Sequence, residues 1–170
     1  FKGMRESRYI TQHIACGFAH LNRLVVIQVR ENKIIWNMLK AAIPYLDRKI
    51  RDDYQRLIRN NIKLDKRNIS YIQVHYLYTR SYFQDIKMDS GIKKAYKYYK
   101  GQSEKYWWDF NRYSQGMIAL SLFRTNNKNT AVAITQSLKE HALHSEEMGM
   151  YWKSRYGYYW YQAPVETQAL

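Results

Sequence analysis

Between Ile69 and Phe83 the chain carries apolar side chains on every side of a helix: Ile69, Tyr71, Ile72, Val74, Tyr76, Leu77 and Tyr78. A helix that is apolar all round must be covered all round. The flanking sequence supplies partners. Upstream, Ile35, Leu39, Ala42, Ile43, Leu46, Ile50, Leu57 and Ile58 recur along one face of a long helix. Its other face is charged, with Lys40, Asp47, Arg48, Arg51, Asp52, Arg56 and Arg59. Downstream, Ile92, Ala95, Tyr96, Tyr99, Ser103, Tyr106, Trp107 and Phe110 form a second stripe, with Lys93, Lys94, Lys97, Lys100, Glu104 and Lys105 mostly off it.

The pattern repeats beyond these helices. From Tyr9 a first helix carries Ile10, Ile14, Gly17, Phe18 and Leu21 at helical spacing. A fifth, about Arg112 to Arg124, is apolar nearly all round through Met117, Ile118, Ala119, Leu120, Leu122 and Phe123. A sixth, about Thr130 to His144, is striped by Ala131, Ile134, Leu138 and Ala142. Only 2 prolines and 7 glycines occur in 170 residues, so few breakers interrupt the helices. Pro44 predicts a kink or a restart in the second helix. Val25–Val29 reads as a loop or a stray extended piece, Asn60–Asn68 as a polar connection, and Gln84–Gly91 and Thr125–Asn129 as turns. Asn68 or Ser70 is placed to cap the third helix.

Odd-numbered helices thus read as buried and even-numbered ones as half-exposed. A glutamine stands near the start of each odd helix: Gln12, Gln73, Gln115 and Gln168. Their spacing, about forty to sixty residues, fits one helical hairpin per unit. The expectation is an all-α fold, an α/α toroid seen as a partial ring of hairpins with inner and outer helices. An irregular helical bundle with chance glutamines is the alternative.

An aromatic content of 16% within a hydrophobic 46% excludes a disordered chain. No segment has the length of uninterrupted apolar sequence that a membrane span requires. The net charge of +14 raises the question of an anionic partner. Basic and acidic residues interleave, as in R-K-I-R-D-D-Y-Q-R, and no recognised binding motif is present, so no nucleic acid is expected as partner. Cys16 is the single cysteine, which excludes an internal disulfide, and its place on an apolar helix face reads as a structural thiol. His13 and His20 share a face of the first helix, and His75 lies on the buried third, the pattern of helix-packing histidines. His141 and His144 with Glu140, Glu146 and Glu147 read as helix-end charges. No metal, cofactor or catalytic residue is expected.

The densest run of Trp and Tyr lies in the last twenty-five residues, Glu146 to Leu170. Tyr151, Trp152, Tyr158, Tyr159, Trp160 and Tyr161, with Glu166, form the candidate interaction surface. Aromatic side chains of this kind stack on sugars or pack over the end of a helical ring. Glu146, Glu147 and Glu166 are the carboxylates nearest to the run. Carboxylates facing one another across a cavity would favour a carbohydrate-active enzyme. Pro164 restarts a helix with Glu166 in its first turn. That restart is the reason residues 1–170 are expected to be one incomplete domain cut from a larger protein, with its open rim prone to self-association.

Several stretches carry a resemblance. Y-I-T-Q-H-I-A-C-G-F-A-H-L, A-I-P-Y-L-D, Y-S-Q-G-M-I-A-L, S-L-K-E, E-E-M-G-M-Y-W and Y-Y-W-Y-Q-A-P-V-E-T-Q-A-L resemble, in order, the bacterial alpha-2-macroglobulin family, in particular its Bacteroidetes-type members. The segment resembled is the complement-like thioester domain. The resemblance implies a large protease trap of the periplasm or cell envelope, in which bait cleavage triggers collapse around the protease. Implied partners are neighbouring domains of the parent chain and, through it, target proteases. The family's thioester is a Cys-x-Glu-Gln loop. Here Cys16 is followed by Gly17, Phe18 and Ala19, so it cannot form that ring, and by position the resemblance implies a thioester upstream of Phe1, outside this segment. An α/α toroid enzyme acting on carbohydrate, or a glycan-binding module, is the second reading.

Overall fold

A computed structural model describes residues 6–147 and 149–153. Among these residues lie six α-helices: α1 (Arg8–Arg23), α2 (Lys33–Arg59), α3 (Tyr71–Arg80), α4 (Ser90–Tyr106), α5 (Arg112–Arg124) and α6 (Lys128–Glu140). A single 3-10 turn, Trp107–Asp109, follows α4. A short antiparallel hairpin, β1 (Leu143–Ser145) and β2 (Gly149–Tyr151), follows α6.

Most helix starts are set by short polar side chains that accept otherwise unpaired backbone N–H groups. Ser7 accepts from Ile10, Asn32 from Ile34 and Ile35, Asp89 from Gly91, and Asn111 from Ser114. At α3 the cap is Ser70, whose N–H is taken by the Gln73 side chain at 3.0 Å. Asn68 instead ties the preceding loop to itself and to Tyr98, donating to Lys63 O, Lys66 O and Tyr98 Oη. Pro44 lies inside α2 without restarting it. The 24–32 connection is a loop, with Val25 at a positive φ of 59° and only Val29 deeply buried.

The helices form two rows. α1, α3 and α5 pack side by side, α2 packs on α1 and α4, and α6 packs on α5. α3 touches α1, α2, α4 and α5, so its all-round apolar character matches its neighbours. Leu39, Ile43, Leu46 and Ile50 of α2, Tyr76 and Leu77 of α3, Tyr99 of α4, and Met117 and Leu122 of α5 fill the core.

The expected alternation holds for α3, and in part for α5. It fails for α1. There the buried residues are Gln12, Ala15, Cys16 and Ala19. At about 100° per residue, Ile10, Ile14, Gly17 and Leu21 fall on the opposite side. Ile10 is 52% and Ile14 47% exposed. Ile10 and Ile14 therefore face away from the core, while Phe18 of the same expected stripe packs against it and Ala15, Cys16 and Ala19 form the buried face. The sixth helix also ends at Glu140 rather than at His144. His144 belongs to β1, opposite Met150, so it does not share a helix end with His141.

One buried ion pair joins the rows. Asp47 of α2 meets Arg80 of α3 at 3.1 Å, with side-chain exposures of 1% and 5%. Tyr76 donates to the same carboxylate at 2.6 Å. Arg80 also donates to Ile86 O at 2.6 Å and to Phe83 O, fastening the loop after α3. Burial raises the Asp47 pKa, while Arg80 and the Tyr76 hydroxyl pull it down. Removing one partner leaves an uncompensated buried charge. Arg80→Met is expected to lower stability by about 3–5 kcal/mol in urea unfolding. The double variant Asp47→Leu/Arg80→Met should recover part of that loss.

Candidate functional site

Two places gather polar or aromatic chemistry. The first is an open groove of about 710 Å³ between α5, α6 and the hairpin. Gly116, Ala119 and Leu120 of α5 and Ala131, Val132 and Leu138 of α6 make its walls, and Met150 and Trp152 close one side. Small residues, Gly116, Ala119 and Ala131, are part of its lining. Phe123, 55% exposed, and Val132, 60% exposed, form its lip.

The hairpin is held there by side chains that donate to backbone carbonyls. Gly149 turns the chain at φ 66°, a conformation that glycine adopts without cost. Trp152 Nε1 donates to Leu138 O at 2.8 Å, and Arg112 donates to Lys153 O at 2.8 Å. The indole is thereby fixed over the end of α6. Of the candidate surface, Trp152 lines the groove and Tyr151 does not, and both are half-buried. Tyr158, Tyr159, Trp160, Tyr161 and Glu166 lie outside the described residues. Glu146 and Glu147 sit exposed in the hairpin turn and do not line the groove. Arg112 and Lys139 are the charged lining residues, so the described walls bring no carboxylate to it. Chemically the groove is a place to bury an apolar or aromatic surface with positive charge at its edge.

The second place is the seam between α1 and α3. Gln12, fully buried, donates to Ile72 O and to His75 Nδ1, both at 3.1 Å. His75 Nδ1 then acts as an acceptor, which makes the ring neutral. The rings of His13 and Tyr71 lie against it, centroids 4.5 and 5.8 Å away. Further along, His20 Nε2 contacts Tyr78 Oη at 2.9 Å and Cys16 Sγ at 3.6 Å. Tyr78 Oη meets Tyr82 Oη at 2.8 Å, and the Arg124 guanidinium lies 3.8 Å over the Tyr82 ring.

This seam has a nucleophile beside a base, yet its electrostatics oppose catalysis. Burial pushes the Cys16 thiol up to about 11, against smaller opposing effects of Thr79 and Arg124. A thiol in that state carries almost no thiolate at neutral pH. Burial, with Arg124 adding to it, also lowers the His20 pKa. His13, His20, His75 and Cys16 all make contacts between or along the helices of this seam. Among the described residues, no three His, Cys, Asp or Glu side chains converge as metal ligands.

The recurring glutamines have a physical role of the same kind. Gln12 bridges α1 to α3, Gln73 closes the start of α3 and donates to Asp53 at 2.8 Å, and Gln115 donates to Phe110 O at 2.8 Å. Asp53 in turn accepts from Arg8 at 2.6 Å. Gln168 lies outside the described residues.

Comparison with known protein families, with characterised proteins and with solved structures finds no match to this chain.

Burial, helped by His13 and His20, drives the His75 pKa from 6.5 down to about 3. The unfolded chain takes up this proton near pH 6.5 and the folded chain does not. The stability that neutral His75 contributes is complete above that pH and is lost as the pH falls towards 3. A loss of about 2 kcal/mol between pH 8 and pH 5 is expected in urea titrations. His75→Gln should flatten this slope.

Proposed function

We propose that this chain is a non-catalytic scaffold segment of a bacterial alpha-2-macroglobulin-like protease trap, part of an α/α toroid within a larger envelope protein. The motifs quoted above support the reading. The structural observation that carries it is the state of the two ends of the helical stack. At one end α1 turns Ile10 and Ile14 outward. At the other, the groove between α5 and α6 leaves Phe123 and Val132 uncovered. In the middle, α3 is buried on nearly every side. A stack with a covered centre and apolar ends is what a section of a longer helical array would look like. Flanking helices of the parent would cover both ends, and target proteases would be met only by the whole molecule.

The parent protein, produced whole, is the material for the test. After a broad-specificity protease cuts it, the protease should migrate with it in a native gel. The captured enzyme should still cleave a small peptide substrate while losing access to large protein substrates. A protease that stays free and fully active on large substrates would sink the proposal.

The isolated chain offers a second check. With both ends uncovered it should self-associate, and Ile10→Asp with Phe123→Asp should shift light scattering towards the monomer. A monodisperse wild-type monomer at high concentration would count against open ends.

The groove also favours a second reading, a glycan-binding module. Its volume lies within the range of small-ligand sites, and Trp152 offers an indole held in place.

A further inference from the structure

We infer that the surface made by the end of α2, the loop at 60–67 and the end of α4 docks onto an anionic phospholipid membrane. The argument starts from charge. Arg56, Arg59, Lys63 and Lys66 are exposed, and none makes an ion pair among the described residues. Arg67 and Lys105 extend the same surface. Three acids lie in this region, of which one is paired with a base and one accepts from a hydroxyl. Asp109 meets Arg67 at 3.7 Å, and Glu104 accepts from Thr130 at 3.3 Å. Asp65 is the third. Its backbone oxygen accepts from Tyr106 at 2.8 Å and Lys105 at 3.4 Å. These bonds, with those of Asn68 and Tyr98, seat the loop against α4 and make the cluster one surface.

Apolar side chains stand among the basic ones. Trp108 is 62% exposed, and its indole N–H donates to Lys105 O at 3.2 Å, which leaves the ring face outward. Ile58 and Ile62 are exposed on the α2 side. Basic residues draw a protein to anionic headgroups, and Trp is the side chain favoured at the boundary between headgroup and hydrocarbon. A nucleic acid would use the charge but has no use for exposed isoleucines here. The combination therefore points to lipid rather than to a polyanion. It also gives part of the net charge of +14 a purpose that neither end of the helical stack requires.

The test is co-sedimentation of the full 170-residue chain with vesicles of phosphatidylcholine alone or mixed with phosphatidylglycerol. Binding is expected only with the mixed vesicles, and salt should weaken it. Arg59→Gln with Lys63→Gln and Lys66→Gln should cut partitioning about 100-fold, at roughly 1 kcal/mol for each basic residue at the surface. Trp108→Ser should weaken vesicle binding while leaving retention on heparin unchanged. All four side chains are exposed, and an unaltered melting temperature would show the fold intact. Equal binding to both vesicle types, or full binding by the charge variant, would overturn the inference. So would tight binding to heparin or duplex DNA with no vesicle binding.

Discussion

Asp47 and Arg80 meet where water does not reach, and much of the structure depends on their meeting. Bringing two charges out of water is costly, and hydrogen bonds to both partners offset that cost. Tyr76 completes the carboxylate, and Phe83 and Ile86 complete the guanidinium. The same contacts set the relation of α2 to α3 and the path of the chain after α3. Gln12 with His75, and Arg8 with Asp53 and Gln73, repeat the arrangement on a smaller scale. Apolar packing supplies the bulk of the driving force, while these polar joints select one way of stacking the helices.

Much of that stacking is legible in the residues, and the exceptions have physical reasons. α2 and α4 carry long stripes, so their existence and buried faces follow from period alone. α3 reads as enclosed, and four helices do touch it. α1 misleads at Ile10 and Ile14, which a periodic reading turns inward, whereas Phe18 does pack on the core. Its core face is built from Ala15, Cys16, Ala19 and the polar Gln12, which no hydropathy pattern would choose. Asp47 misleads in the same way, since it reads as part of a charged outer face and is 1% exposed. Its partners, Tyr76 and Arg80, lie 29 and 33 residues further on, which local sequence does not reveal.

The groove was half legible. Trp152, one residue of the aromatic run, stands at the groove's edge. The groove's walls include Gly116, Ala119 and Ala131, residues that a search for reactive groups passes over. The hairpin escaped because strands of three residues are too short to show an alternating period. The seam between α1 and α3 shows the opposite error that a motif search invites. A cysteine, a histidine and two tyrosines in contact resemble a reactive centre until their burial is considered.

The two-row stack has a mechanical consequence. Each helix is held mainly by its nearest neighbours, so force applied at the two ends of the chain loads the outermost hairpins first. α1 and α6 have the fewest partners, while α3 is gripped by four helices and by the Asp47–Arg80 pair. Such a body yields from its edges inward and keeps its centre until last. Its resistance to being pulled apart is therefore that of the region around α3 rather than the sum of six helices.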